Sequence, residues 1–214
     1  MPLCEFKPAT GQPLWALWRI DEPIEELGGR LLATPMELSE FESIHHPRKK
    51  LEWLASRLLI QHLVEQLDVP FTGIYKDAFG KPHLIDLPYS ISIAHCFPFA
   101  AGIISKDQST GIDIEQPRHK LLNISHKFLN EKEAQVAGSD LETLCKYWAA
   151  KEVLYKIYGR KKLIFKEHLE VFENPAGTDT LGGRICHADF FQEFQIRLYR
   201  YQGHYIAYGI ASHF

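Results

Sequence analysis

Apolar residues recur along the chain with two different periods, and the longer period predicts two helices. Between residues 48 and 67, leucine and alanine return every three or four positions, which predicts a helix with Pro47 in its first turn. A second helix is predicted over residues 141–158, where Gly159 follows as a residue that commonly ends helices. The two longest regular elements of the chain are therefore predicted to be helical.

Shorter segments that alternate or are continuously apolar, with turn residues at their ends, predict strands. In chain order these are residues 14–20, two strands within 89–105 that separate near Pro98, residues 111–115, and a hairpin within 191–212 that turns at Gln202 and Gly203. Residues 77–82 are rich in turn formers and are predicted as a loop. Asn130 followed by Glu133 has the spacing of a capping box and predicts the start of a further helix.

Two features recur in both halves of the chain. Residues 100–105 and residues 207–212 have similar sequences. Each long predicted helix also carries a tryptophan that is followed four positions later by a charged residue. These pairs are Trp53 with Arg57 and Trp148 with Glu152. The two repeats together predict two related halves that meet near residues 105–110.

The predicted fold class is α+β, with two similar α/β halves related by pseudo-twofold symmetry. Each half is expected to contain a small, mainly antiparallel sheet packed with one long helix. The predicted domains are an N-terminal half over residues 1–107 and a C-terminal half over residues 108–214. A site between two such halves would take groups from both, and domain interfaces are common places for binding sites.

Composition and charge restrict the class of protein. The chain has 214 residues, 45% of them hydrophobic, and a net charge of -3 with histidine neutral. A nucleic-acid-binding protein would carry a basic excess, so no nucleic-acid partner is expected. No apolar run is long enough to span a membrane and no signal-peptide core is present, so neither a membrane nor export is predicted. Four cysteines without a C-x-x-C pair favour reduced thiols in the cytoplasm.

Four charged residues form the candidate chemistry. Asp113 and Glu115 are two apart on a predicted strand and share one of its faces, an arrangement that suits a cation such as Mg²⁺. On spacing alone, the alternative is a strand with an acidic outer face. Glu152 and Lys156 are four apart on a helix and share a face, where the alternative is an ordinary surface ion pair. Lys151 lies roughly 100° around the helix from Glu152 and is expected on a different part of the site or on its rim.

The order of these motifs resembles that of the 4′-phosphopantetheinyl transferase superfamily. Gly-Ile-Asp-Ile-Glu at residues 111–115, followed some thirty residues later by Trp-x-x-Lys-Glu-x-x-x-Lys at residues 148–156, is similar to the two core motifs of that superfamily. Gly-Lys-Pro at residues 80–82 resembles a loop of the longer, monomeric Sfp-type branch. Ser-Ile-Ala-His-Cys at residues 92–96 occupies the place of that branch's Asn-Ile-Ser-His-Ser segment.

The resemblance implies an enzyme that moves the 4′-phosphopantetheine arm of coenzyme A to a serine of an apo acyl or peptidyl carrier protein. It implies that Asp113, Glu115 and Glu152 hold Mg²⁺, or alternatively Mn²⁺, in the C-terminal half. Glu152 would also accept the serine proton, and Lys156 would steady the pyrophosphate or the leaving 3′,5′-ADP. The two-half layout of the branch further implies a monomer.

The resemblance places the nucleotide of coenzyme A in the N-terminal half. The residues expected at that cofactor-binding side are Arg48, Arg57, Lys81, Ser92 and His95, together with Lys156 at the pyrophosphate. Arginine suits a phosphate there because its planar group donates two parallel hydrogen bonds. An acidic carrier protein would dock on basic residues that follow the acidic strand. The candidates are Arg118, His119, Lys120, His126 and Lys127.

Two other functions remain open at this point. The first is a binding module of the same fold that holds coenzyme A or a carrier protein without catalysis. The second is an unrelated Mg²⁺-dependent phosphohydrolase built on the three carboxylates. The sequence does not name the carrier protein or its pathway.

Overall fold

Each of the two long predicted helices packs against an antiparallel sheet of its own. The structure is a computed structural model, and it describes residues 3–7, 13–106, 108–160, 162–174, 179–188 and 190–211. The chain divides into unit 1, Met1–Gln108, and unit 2, Ser109–Phe214. The α+β prediction of an antiparallel sheet and a long helix in each half is confirmed.

Unit 1 contains six strands and three helices among its described residues. They are β1 (Leu3–Lys7), β2 (Leu14–Arg19), α1 (Ile24–Arg30), α2 (Pro35–Glu42), α3 (Pro47–Glu65), β3 (Ile74–Lys76), β4 (Pro82–Leu84), β5 (Tyr89–Cys96) and β6 (Phe99–Lys106). The predicted strand at 14–20, the helix at 48–67 and the strand pair within 89–105 are confirmed to within two residues at their ends.

Unit 2 contains five strands and four helices among its described residues. They are β7 (Thr110–Glu115), α4 (Lys120–Phe128), α5 (Glu131–Ala137), α6 (Leu141–Tyr158), α7 (Phe165–His168), β8 (Leu169–Glu173), β9 (Thr180–His187), β10 (Phe190–Tyr201) and β11 (His204–Ala211). The predicted helix at 141–158 and its left-handed end at Gly159 are confirmed. The predicted hairpin is β10 with β11, although Ser212 lies outside the described residues.

The two sheets have the same topology. When the edge strand β1 is set aside, the strand order is β2-β6-β5-β4-β3 in unit 1 and β7-β11-β10-β9-β8 in unit 2. In both units the first of these strands pairs with the last, and the remaining strands follow in reverse chain order. Helix α3 packs on β6 and β2, as α6 packs on β11 and β7. Of the repeated sequences noticed at residues 100–105 and 207–212, the described residues 100–105 and 207–211 therefore lie in equivalent strands.

Each unit also contains a buried carboxylate that belongs to a capping box. Glu37 caps α2 together with Thr34, and Glu133 caps α5 together with Asn130. We call Glu37 and Glu133 the capping glutamates. Glu37 is 1% exposed and Glu133 is 3% exposed, so each must find its partners inside the protein.

The capping glutamates make the same kinds of contact in the two units. Glu37 accepts a hydrogen bond of 3.2 Å from the backbone of Ile74 in β3, and Glu133 accepts one of 2.7 Å from Val171 in β8. Each also pairs with a buried cation of the long helix. Arg57 Nε lies 3.5 Å from Glu37, and Lys151 Nζ lies 2.6 Å from Glu133. A buried charge is tolerated when it is paired and hydrogen-bonded in this way.

Lys151 is the one residue of the helix motif that the structure moves away from its predicted place. It was expected on a different part of the site or on its rim, but its side chain is fully buried. Besides Glu133, its ammonium group donates to the backbone oxygens of Phe128, Phe165 and Leu169. Lys151 therefore ties together the ends of α4, α7 and β8, and its role in this structure is to hold unit 2 together.

Candidate active site

The acidic face of β7 is covered by helix α6. A Cβ atom added at Gly111 would lie 2.5 Å from the carbonyl oxygen of Val153 in α6, so strand and helix are in close contact there. Asp113 and Glu115 follow on the same face because side chains alternate along a strand. Asp113 is only 6% exposed. The alternative of a solvated acidic outer face is therefore excluded, since this face lies against the core helix.

Lys156 bonds to β7 and makes no surface ion pair with Glu152. Its ammonium group donates to Asp113 Oδ1 and to the backbone oxygen of Ile112, each at 2.8 Å. The side chain of Lys156 is 25% exposed. The structure thus brings Lys156 to the carboxylates, as the motif predicts, but through Asp113.

Trp148 positions the second carboxylate of the strand. Its indole Nε1 donates to Glu115 Oε1 at 3.1 Å. The ring is fixed between Phe128 and Phe165, with ring centroids at 5.1 Å and 5.5 Å. The sequence analysis treated Trp148 only as part of a motif. Its spacing of four residues from Glu152, which places both on one helix face, was the signal for a role in the site.

The three carboxylates are close enough to affect one another's protonation. The pKa of Glu152 is raised to about 7, first because the group is removed from water and second because Asp113 lies nearby, while Lys156 acts in the opposite direction. The pKa of Glu115 is raised by burial and by Asp113, against the hydrogen bond from Trp148. Carboxylates with raised pKa values in one place are a common mark of a functional site.

The donor set suits a hard divalent cation. Asp113 Oδ2 is buried and has no hydrogen-bond partner among the described residues. Three carboxylates lie near two cations, the Lys156 ammonium group and the Arg118 guanidinium group that acts on Glu115, so the site holds more negative than positive charge. Carboxylate oxygen is the ligand that Mg²⁺ prefers. In their present rotamers, no three His, Cys, Asp or Glu side chains of the described chain converge on one point. The carboxylate oxygens of Asp113, Glu115 and Glu152 are chemically suited to a divalent cation, and the metal site itself stays a prediction.

Gly111 permits the close contact that places Asp113 under α6. We expect Gly111→Ala to force β7 and α6 apart and to cost about 1–3 kcal/mol of unfolding free energy, as overpacked sites do. Urea denaturation measures this loss. Gly28→Ala is the matched control, because an added Cβ at that helical position would meet no atom within 4 Å. Equal stability of the two variants would contradict the proposed close packing.

In unit 1, Arg48 and His95 meet at one carboxylate that the sequence analysis did not single out. Arg48 Nε lies 3.2 Å from Glu52 and His95 Nδ1 lies 3.5 Å from it. Lys49 also bonds to Glu52, at 2.8 Å. Ile91 is buried in the core beneath α3, and His95 lies on the same face of β5, which is why it reaches the helix. The spacing of Glu52, four residues after Arg48, was the available signal.

Arg57 has contacts that differ from those predicted for a phosphate ligand. Its side chain is 6% exposed and bonds to Glu40 Oε2 at 2.7 Å. The guanidinium carbon also lies 3.6 Å from the ring centroid of Trp53. A guanidinium group held by two carboxylates and covered by an indole has little surface left for a ligand. These contacts favour a structural role within unit 1, so Arg57 is not carried into the proposed nucleotide side.

Lys81 lies at the end of a loop beside Asp77, and Ser92 lies within β5. Lys81 follows a tight loop in which Asp77 Oδ1 accepts the backbone N–H groups of Phe79 and Lys81, at 2.8 and 2.9 Å. Burial lowers the pKa of the Lys81 ammonium group, and Asp77 opposes this. Ser92 is 4% exposed and lies on the face of β5 opposite to His95, because three positions separate them. The structure does not bring Ser92 and His95 together on one face.

Comparison with known proteins agrees with the geometry of unit 2. The model of the 4′-phosphopantetheinyl transferase superfamily matches residues 109–209, which span β7 to β11. Residues 109–209 therefore match that superfamily, and the superfamily prediction is confirmed for this unit. A transferase of the phosphopantetheinyl type is thereby supported in general terms, while the Sfp-type branch stays a prediction. No curated protein matches the chain.

Proposed function

We propose that this protein transfers the 4′-phosphopantetheine arm of coenzyme A to a serine of an apo acyl or peptidyl carrier protein. The observation that supports this most directly is the meeting of Asp113, Glu115 and Glu152 with Lys156 between β7 and α6. These side chains lie within the range that matches the superfamily. The N-terminal half would be the nucleotide side and the C-terminal half the metal and catalytic side.

The reaction is an exchange of one phosphorus–oxygen bond for another. The serine Oγ attacks the phosphorus that carries the pantetheine arm, the bond between this phosphorus and the bridging oxygen of the pyrophosphate breaks, and 3′,5′-ADP leaves with that oxygen. The serine proton needs an acceptor. Glu152 is the candidate for this role, directly or through water, because its carboxyl group lies beside Asp113 and Lys156 and becomes more basic through burial.

The remaining charges at the site would act on the pyrophosphate. Asp113, Glu115 and Glu152 would hold Mg²⁺ or Mn²⁺, which when bound supplies positive charge to pyrophosphate oxygens. Lys156 adds an ammonium group that is already fixed by Asp113 and Ile112. A fixed ammonium group can stabilise developing negative charge without having to move first.

Unit 1 would contact the nucleotide end of coenzyme A. His95 and Arg48 are candidates for the 3′-phosphate, and Lys81 and Ser92 are further candidates for this side. Arg48 is half exposed, with 50% of its side chain accessible. A partly exposed guanidinium group can still donate to a phosphate with its planar end.

The carrier protein would bind near the acidic strand. The five basic candidates all lie at the surface: Arg118, His119, Lys120, His126 and Lys127. They precede or belong to α4, whose other face buries Leu121 and Phe128. A positively charged helix face suits a negatively charged partner and speeds its association. Among the described residues, no helix is long and apolar enough to cross a membrane.

The decisive test is mass spectrometry of several apo carrier proteins after incubation with this protein, coenzyme A and Mg²⁺. We expect at least one carrier to gain the mass of the arm on its serine, and 3′,5′-ADP to appear in equal amount. Absence of the gain on every carrier, with coenzyme A still bound, would favour a non-catalytic binding module. Cleavage of coenzyme A without any carrier would favour a phosphohydrolase.

A further inference from the structure

Three basic side chains of unit 1 meet at one buried carboxylate in the first turns of α3. The side chain of Glu52 is only 4% exposed, whereas those of Arg48, Lys49 and His95 are 50%, 60% and 39% exposed. The carboxylate thus forms the floor of the cluster and the basic groups form its surface. We call these four residues the Glu52 cluster.

Each oxygen of Glu52 is used to hold a cation. Oε1 accepts from Arg48 Nε at 3.2 Å, and Oε2 accepts from Lys49 Nζ at 2.8 Å and lies 3.5 Å from His95 Nδ1. Arg48 is additionally held over the ring of Phe97, with its guanidinium carbon 4.5 Å from the centroid. Lysine and arginine at a surface otherwise sample many rotamers, so these contacts restrict them before any ligand binds.

The Glu52 cluster carries an excess of positive charge. One carboxylate faces two permanent cations and a histidine. Burial on its own would raise the pKa of the Glu52 carboxyl, but the hydrogen bond from Lys49 and the nearby positive charges hold it below its ordinary value. The Glu52 carboxylate is therefore ionised at neutral pH, and both of its oxygens already contact basic side chains of the protein. Arg48 gives Glu52 only its Nε–H, and Lys49 gives it one of three protons, so both have further donors toward the surface.

We propose that Glu52 is a positioning residue, which holds Arg48, Lys49 and His95 as a preformed receptor for the 3′-phosphate of coenzyme A. The proposal rests on the proposed function, and it adds Glu52 and Lys49 to the residues named there. A phosphate is favoured over a carboxylate because a dianion with three oxygens can accept from three separate donors. Restricting the donors in advance lowers the entropy cost of binding.

Glu52→Gln tests the proposal, because it removes the charge and keeps the shape of the side chain. Calorimetry with coenzyme A and with 3′-dephospho-coenzyme A needs no carrier protein, so its result is independent of whether transfer occurs. We expect the Kd for coenzyme A to rise roughly 10-fold, which is the effect of releasing two restricted side chains, with less than about a 2-fold change for the dephospho form. Lys49→Ala should show the same selective loss.

Glu22→Gln is the matched control. Glu22 is another poorly exposed carboxylate of unit 1, with 10% of its side chain accessible, and it pairs with Arg30 outside the Glu52 cluster. It should leave both affinities unchanged. Equal weakening of the two ligands by Glu52→Gln would show a structural effect on unit 1 and overturn the proposal. An unchanged or tighter affinity for coenzyme A would overturn it as well.

Discussion

Asp113→Asn is expected to reduce transfer by roughly 10²–10³-fold, the usual cost of losing one group that stabilises charge in a transition state. Asp113 has one oxygen on Lys156 and one buried oxygen without a partner among the described residues. Its replacement therefore removes the negative charge that pairs with Lys156 and an anionic ligand for a cation together, while the amide oxygen can still accept from Lys156. The measurement is kcat/KM for carrier modification over a range of Mg²⁺ concentrations, with a raised Mg²⁺ requirement expected for the variant.

Two controls keep this prediction separate from unfolding. Thermal unfolding of Asp113→Asn should stay close to that of the unmodified chain, since the substitution conserves shape and relieves repulsion among three carboxylates. Glu193→Gln, on β10 and paired with Arg184, removes a carboxylate from the same unit away from the site and should retain full transfer. Wild-type rates with an unchanged Mg²⁺ dependence in Asp113→Asn would refute the metal assignment.

Lys151→Met is expected to lower the free energy of unfolding by about 3–5 kcal/mol, the cost of leaving a buried partner charge unpaired. The substitution conserves the length of the side chain but leaves Glu133 and three backbone oxygens without their donor. This loss is a large part of the ~5–15 kcal/mol that stabilises a typical domain. Urea denaturation measures it.

The location of Lys151 within the helix motif makes this a sharp test of its role. At temperatures where the variant is folded, we expect kcat within a few-fold of that of the unmodified enzyme, because Lys151 lies away from Asp113. Adding Glu133→Gln should recover part of the stability because it removes the unpaired buried charge, although the single amide oxygen can accept from only one of the two backbone N–H groups that Glu133 binds, those of Asn130 and Val171. Lys146→Met on the same helix, where the lysine lies partly exposed over Tyr205, should change stability little. A folded Lys151→Met without activity would instead make the lysine catalytic.

The sequence predicted the regular elements best where one face of a long segment is apolar. The helices at 48–67 and 141–158 needed no tertiary information, because period and end residues both indicated them. The short strands β3 and β4 and the helices α1 and α2 were not predicted. Each is eight residues or shorter, too short to show a period, and they form because α3 and the sheet offer them a surface.

The sequence predicted that the two halves are related, but the features that support this are fewer in the sequence than in the structure. The pair of tryptophans and one similar strand indicated two related halves. The structure adds an equal strand order and the two capping glutamates, each bonded to a strand and to a buried cation. The sequence aligned Arg57 with Glu152 by their distance from tryptophan. In its contacts, Arg57 corresponds to Lys151 instead, because each pairs with the capping glutamate of its own unit.

The sequence by itself determined the order and spacing of Asp113, Glu115, Glu152 and Lys156, and with them the match of residues 109–209 to the superfamily. Spacing fixes which side chains share a face of a strand or helix, and that is a local property. Only the tertiary structure decided which faces meet. In the tertiary structure the acidic face of β7 lies against α6, Lys151 and Arg57 are buried, and Arg48 and His95 both contact Glu52. The sequence could not show this, because the burial and the partners of a side chain depend on elements that are distant in the chain.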